Sequence, residues 1–160
     1  MQAPWLEIAR RDLGLAEVPG AETAPKIKQW LADLGAWWRD DETPWCGVAV
    51  GAWMKQAGIA RPKHWYRAKG WLDWGHPCGS LLGAVVVFER AGGGHVGLAV
   101  GYDDATARVY VLGGNQGNKV SILPFDVKRV IGWRWPTEPP RVPTGLPLMH
   151  TADELSRNEA

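Results

Sequence analysis

Residues 84–112 read AVVVFERAGGGHVGLAVGYDDATARVYVL, and this stretch decides the fold. Apolar side chains recur along residues 84–89, 95–101 and 108–112 in the short, β-branched runs that are typical of strands. Glycines at 92–94 and the turn-forming run DDAT at 103–106 separate the three segments. The pattern therefore predicts three consecutive antiparallel strands in the centre of the chain.

The flanking segments complete an α+β fold. Before the strands, the 3.6-residue period predicts helices over residues 5–13, 25–34 and about 45–57, with a short helix near 67–74. After them, further strands are predicted over 119–123 and 130–135. Helices first and a strand meander afterwards indicate helices packed on a five-stranded antiparallel sheet rather than alternating βαβ units.

Length and composition predict one globular domain. The chain has 160 residues, 46% of them hydrophobic, which is enough to bury a core. We assign residues 1–136 to the domain and 137–160 to a proline-rich tail with a short helix near 151–158. Eleven tryptophans stand out, and we expect most of them to pack in the core while a few line a glycan or peptide groove.

Charge and apolar patterning exclude several classes of partner. A net charge of +1 gives no indication of nucleic-acid binding, and no apolar run is long enough to span a membrane. The first residues lack the basic and apolar regions of a signal peptide, so we expect a cytoplasmic protein that is later released or delivered. We also expect a monomer, with Cys46 and Cys78 as free thiols.

Cys46 is the candidate nucleophile. It opens the helix predicted over about 45–57, and the unpaired N–H groups of a helix N-terminus favour an anion, so we expect a lowered thiol pKa. The alternative is a small buried hydrophobe, which is what most free cysteines are. Gly47, Ala49 and Gly51 on the same helix predict close packing against a neighbouring element.

His95 is the candidate base, and it opens a predicted strand directly after the glycines at 92–94. On that strand His95, Gly97 and Ala99 share one face, and we expect this small face to accept the Cys46 helix and bring imidazole and thiol together. Asn115 follows the next strand and is the candidate that orients the ring, with neighbouring Gln116 as the alternative.

A Cys, His, Asn order on helix, strand and strand is found in papain-like cysteine hydrolases. His95 would take the thiol proton, and Cys46 would attack an amide carbonyl. The backbone N–H of Cys46 would supply part of an oxyanion hole, and water would then clear the thioester. These three residues therefore predict thiol-dependent amide cleavage without a cofactor or metal.

Three segments resemble one known family. Residues 44–50 (PWCGVAV), 94–100 (GHVGLAV) and 111–116 (VLGGNQ) resemble the CHAP branch of the NlpC/P60-like cysteine peptidases, and residues 4–136 fit it overall. The resemblance implies a papain-like fold and cleavage of bacterial peptidoglycan as an endopeptidase or N-acetylmuramoyl-L-alanine amidase. It implies Cys46 as nucleophile, His95 as base and Asn115 as orienting residue. Many relatives are phage endolysins that reach the wall through a holin.

Four residues complete the predicted site as substrate contacts: Trp45, Trp71, Gly94 and Gln116. Some CHAP domains bind calcium, but the acids at 40–42 are typical of a solvated loop, so no metal site is predicted.

Three alternatives stay open. The first is a zinc amidase that uses His64, His76, Cys78 and His95 as ligands. The second is a non-catalytic wall-binding module that uses its tryptophans as a sugar platform. The third keeps the thiol chemistry in a secreted antibacterial toxin or a virion-associated lysin.

Overall fold

In the residues that the computed structural model describes (3–16, 24–37, 44–137 and 145–150), three α-helices precede a six-stranded antiparallel sheet. The helices are α1 (Pro4–Arg11), α2 (Pro25–Asp33) and α3 (Cys46–Gln56), followed by a 3-10 helix over Ala68–Asp73. The strands are β1 (His76–Pro77), β2 (Val85–Arg90), β3 (Gly93–Asp103), β4 (Arg108–Gly113), β5 (Ser121–Asp126) and β6 (Val130–Trp135), with a 3-10 turn over Val127–Arg129. The α+β class is therefore confirmed.

The sheet has one strand more than the sequence predicts. Its order is β1-β6-β2-β3-β4-β5, and each neighbouring pair is antiparallel. The extra strand, β1, is only two residues long and pairs His76 with Trp135 at the edge. The strand predicted over 119–123 begins two residues later and runs to Asp126. The other predicted strands all form, and β3 extends at both ends beyond the predicted 95–101.

Strand β3 lies in the middle of the sheet and is buried on both faces. Val96, Leu98 and Val100 join the main core, which is shared with the helices. Ala99 lies on the opposite face, in a second and smaller core made from the sheet alone: Val86, Phe88, Ala99, Val109, Val111. Because successive side chains alternate between faces, these two clusters fix which side of β3 each of its residues occupies.

Helix α3 packs at close range, as its small residues predict. Every residue from Cys46 to Met54 is buried. A Cβ on Gly47 would stand 2.5 Å from the carbonyl oxygen of Trp65, so only glycine fits at that contact. At Gly51 the nearest neighbour would be Leu34 at 3.4 Å, which is ordinary contact and leaves room for a methyl group.

The tryptophans mostly pack the core, as expected. Ten of the eleven lie in the described ranges, and seven of these ten are buried: Trp5, Trp30, Trp45, Trp53, Trp71, Trp74 and Trp135. Trp37 is 88% exposed. No helix in the described ranges is long and apolar enough to cross a bilayer.

Part of the predicted tail returns to the sheet. Within residues 145–150, the backbone on both sides of Leu148 hydrogen-bonds to Tyr102, with Pro147 O and Met149 N as partners. Met149 is buried, and its side chain fills the space beside Gly101. The helix predicted near 151–158 and the acids at 40–42 lie outside the described residues.

Asp12 ties the three helices together. Its buried carboxylate accepts a hydrogen bond from Trp53 Nε1 in α3 at 2.9 Å and pairs with Lys26 Nζ in α2 at 2.5 Å. A buried carboxylate keeps its charge only when such donors replace water. The contact therefore stabilises the packing that holds Cys46 against the sheet.

We expect Asp12→Ala to lower the free energy of unfolding by about 2–3 kcal/mol, because it leaves the buried Trp53 N–H without an acceptor. Chemical denaturation measures the change. Asp33→Ala is the matched control, since Asp33 is exposed and, among the described residues, its side chain bonds only to Gln29; it should change stability by less than about 0.5 kcal/mol. Equal effects of the two substitutions would contradict the role given to Asp12.

Candidate active site

Cys46 is the first residue of α3, as predicted, and both cysteines are free thiols. The Cys46 side chain is buried, with 7% of the residue exposed. Backbone N–H groups of Val96 and Gly47 point at the thiol. Because Val96 directly follows His95 in β3, the thiol lies beside the strand that carries the candidate base.

The expected lowering of the Cys46 pKa is wrong. Burial raises the pKa of this thiol above its ordinary value, and the N–H groups of Val96 and Gly47 and the charge of Arg90 offset only part of the effect. Removing a thiolate from water costs more than a helix N-terminus returns. Cys46 is therefore a neutral thiol at neutral pH.

His95 is buried between two aromatic rings. Its imidazole stacks on Phe125, with ring centroids 5.1 Å apart and planes 20° from parallel, and Phe88 lies on another side at 6.2 Å. Burial lowers the pKa of His95 to about 4, and the charges of Arg90 and Arg129 push it in the same direction. The ring is therefore neutral at neutral pH, which is the state that a general base requires.

A hydrogen bond to Gln116 fixes the tautomer of His95. The His95 Nε2–H donates to Gln116 Oε1 at 2.8 Å. The amide cannot turn around, because its own N–H groups donate to Val111 O at 3.1 Å and Ser121 O at 2.9 Å. With the proton held on Nε2, the lone pair of His95 lies on Nδ1.

Gly113 makes room for this hydrogen bond. A Cβ at Gly113 would overlap Gln116 Oε1 and would stand 3.5 Å from His95 Nε2. An acidic or larger residue at this position would displace the amide. Glycine at this position is thus a steric requirement of the Gln116 arrangement.

The amide that reaches His95 belongs to Gln116 and not to Asn115. Asn115 has a positive φ of 58°, and its side chain makes no hydrogen bond within the described part of the chain. The left-handed backbone at Asn115 turns the chain, and the side chain of Gln116 then points back toward β4. The hydrogen bond expected of Asn115 is therefore wrong, and the alternative, Gln116, makes it.

His95 Nδ1 is buried and has no hydrogen-bond partner among the described residues. Leaving such an acceptor unpaired costs about 1–3 kcal/mol, and the indole N–H groups of Trp30, Trp45 and Trp135 are buried without a partner in the same way. This nitrogen is the one that carries the lone pair. It can accept a proton, but the Cys46 thiol does not hydrogen-bond to it, so the structure does not bring the two predicted groups into contact.

The prediction that the Cys46 helix packs on the face of β3 that carries His95, Gly97 and Ala99 is wrong. The helices pack on Val96, Leu98 and Val100, whereas Ala99 lies in the second core on the far side. The His95 ring lies on that far side too, with Phe88 and Phe125. The larger valine and leucine side chains bury more apolar area against the helices than the small face would, and this decides the packing.

The predicted substrate contacts divide into two groups. Trp45 and Trp71 are fully buried, so neither lines an open groove. Gln116 is buried as well and holds His95. Gly94 is partly exposed beside His95, with the side chain of Lys69 about 3.1 Å from the position of a Cβ. Only Gly94 is therefore placed to touch a bound chain directly.

A surface cavity lies away from these residues. Its lining includes residues 58–61, Trp74 and Pro136, and it includes neither Cys46 nor His95. The candidate site is thus a buried pair of groups beside a glycine-rich edge and not the mouth of this cavity.

The four candidate zinc ligands do not form a metal cluster. His64 contacts Tyr66, His76 contacts a backbone carbonyl, and His95 hydrogen-bonds to Gln116. Among the described residues, the one group of three or more metal-type side chains is Asp103, Asp104 and His150, at the far end of β3. This arrangement argues against the zinc alternative.

No family model, curated protein or solved structure matches this chain.

The lowered pKa of His95 predicts a dependence of stability on pH. The folded state keeps the ring neutral down to a pKa of about 4, whereas an unfolded histidine is protonated below about 6.5. The stabilisation is thus complete above pH 6.5 and is lost as pH falls toward 4, by about 3 kcal/mol in total.

Urea unfolding of the wild type and His95→Gln between pH 4 and 8 tests this expectation. The difference in unfolding free energy should shrink as pH falls, while carboxylate titrations cancel because both proteins share them. His64→Gln is the control, since His64 is exposed. A difference for His95→Gln that stays constant across the range would show that His95 titrates normally.

Proposed function

We propose that this chain is a cysteine hydrolase that cleaves an amide bond of the bacterial wall peptide. Cys46 is the nucleophile, His95 the base, and Gln116 the residue that orients His95. One observation carries the proposal: the Gln116 hydrogen bond leaves His95 Nδ1 buried and unpaired, one residue from the Val96 N–H that points at the Cys46 thiol.

The chemistry follows from two neutral groups. Cys46 lies on the helix side of β3 and the His95 ring on the other side, and the two groups do not hydrogen-bond in this structure, so the proposed reaction requires substrate binding to bring them into contact. The thiol proton then moves to His95 Nδ1 as Cys46 attacks the amide carbonyl, and the resulting imidazolium is stabilised by Gln116 Oε1. The Cys46 N–H at the start of α3 faces the developing oxyanion. His95 then protonates the leaving amine, and water attacks the thioester and restores the thiol.

The wall substrate and the papain-like fold family rest on resemblance. The motifs at 44–50, 94–100 and 111–116 are similar to those of CHAP peptidases, and these motifs carry Cys46, His95 and Gln116. A helix that begins at the nucleophile and packs on an antiparallel sheet supports the same assignment. Endopeptidase and N-acetylmuramoyl-L-alanine amidase activities are both compatible with this chemistry.

The burial of the tryptophans weighs against a purely wall-binding module. A sugar platform needs exposed aromatic faces, and seven of these side chains are buried. An endolysin, a secreted toxin and a virion-associated lysin would share one active site, so the surrounding genes, a holin or an immunity gene, distinguish these settings.

We expect Cys46→Ala to reduce the release of fragments from purified peptidoglycan by at least about a thousandfold, because no other group can form the thioester. Mass spectrometry of the fragments identifies the bond that is cut. Cys78→Ala is the matched control, since Cys78 is the other free thiol, and it should keep full activity. An active Cys46→Ala protein would rule out the proposal, and loss of activity in a chelator would favour a metal enzyme.

We expect Gln116→Ala to lower kcat by about ten- to a hundredfold while KM changes little, because the ring loses its fixed tautomer. The ¹⁵N shifts of His95 should then move from the Nε2–H tautomer toward a mixture. Asn115→Gly is the control, since it removes the neighbouring amide and tolerates the positive φ. If Asn115→Gly has the larger effect on kcat and on the shifts, the orienting role belongs to Asn115.

A further inference from the structure

Arg90 lies on the same side of the sheet as His95. It is the last residue of β2 and pairs in register with Gly93, while Phe88, two residues earlier, pairs with His95. Because side chains alternate along a strand, Arg90 and Phe88 project to one face. The exposed Arg90 therefore stands at the open edge of the candidate site, next to the glycines that precede His95.

Arg129 reaches the same edge from another element. It follows β5 in the 3-10 turn, and its Nε–H donates to Glu89 O at 3.2 Å. Its guanidinium lies 5.8 Å from the centre of the Phe125 ring, and that ring stacks on His95. These contacts hold the guanidinium in place, and within the described ranges most of its N–H groups have no acceptor.

No carboxylate balances these two charges within the described residues. Neither Arg90 nor Arg129 forms an ion pair there. Glu89, next to Arg90 in sequence, pairs with Lys69 at 3.0 Å, and Asp126, three residues before Arg129, accepts a hydrogen bond from Lys128 N at 2.9 Å. The charge of Arg90 acts on both the thiol and the imidazole, and that of Arg129 acts on the imidazole. An uncompensated positive edge beside a candidate active site favours an anionic ligand.

We propose that Arg90 and Arg129 form an anion-binding edge that holds a carboxylate of the wall peptide on the His95 side of the cleaved amide. This inference rests on the proposed function and names its substrate class: peptides with a free carboxylate next to the scissile bond. Two guanidinium groups match a carboxylate in shape and charge, and a carboxamide offers no charge and only one acceptor. The edge therefore discriminates against amidated wall peptides.

The test is binding to an inactive protein, so that it does not depend on turnover. The full chain with Cys46→Ala is titrated calorimetrically with a muramoyl tetrapeptide and with the same fragment carrying one carboxamide at a time in place of a carboxylate. We expect one amidated fragment to bind about tenfold more weakly than the free acid. Adding Arg90→Gln and Arg129→Gln should remove this preference by weakening only the free acid.

Lys55→Gln is the matched control, because it also removes one positive charge but lies in the last turn of α3, far from Cys46 at the first. It should leave both affinities unchanged. The inference would be overturned if the free and amidated fragments bound equally well or if neither bound. It would also be overturned if the arginine substitutions weakened the binding of both fragments equally. If the wild type cleaves no wall peptide yet the preference persists, the hydrolase proposal fails and the anion-binding edge stands.

Discussion

Strand β3 has to bury both of its faces, and the rest of the molecule is arranged to satisfy that requirement. The helices pack on its Val96, Leu98 and Val100 side chains, while the other face packs against side chains of the sheet and against Leu146 of the segment after it. The polar ring of His95 lies in the apolar layer on this second face, near the end of β4. This position sets the environment of His95. Phe88 and Phe125 exclude water from the ring, and Gln116 Oε1 supplies the acceptor that the Nε2–H group needs.

The same burial sets the chemistry of the candidate site. A preformed thiolate–imidazolium pair is unfavourable here, since burial opposes both charges and Arg90 repels the imidazolium. In the reaction that we propose, proton transfer and attack on the carbonyl are therefore coupled, with charge appearing only as the tetrahedral intermediate forms. The fixed dipoles that would stabilise this short-lived state are the Gln116 carbonyl, which faces the ring, and the backbone N–H groups at the start of α3.

The sequence patterns predicted the positions of the helices and strands well, but they predicted less well how these elements pack against one another. The period-two runs located the strands, and Cys46 was correctly placed at the start of a helix, because both depend on local sequence. The choice of face on β3 depends on competition between two surfaces across the whole sheet, which no local pattern shows. Asn115 and Gln116 are adjacent, and only the φ of 58° at Asn115 decides which amide reaches His95. The two-residue strand β1 forms only because β6 offers an edge to pair with.

The burial of Cys46 also bears on oxidation. Peroxides and disulfides attack thiolates that they can reach, and Cys46 offers neither the charge nor the access, because the burial that raises its pKa also covers the sulfur. Cys78 is less buried, but its pKa is raised to about 11, so it too is almost wholly a thiol. We expect a thiol sheltered in this way to stay reduced in oxidising surroundings, where an exposed, low-pKa cysteine would soon become a sulfenic acid.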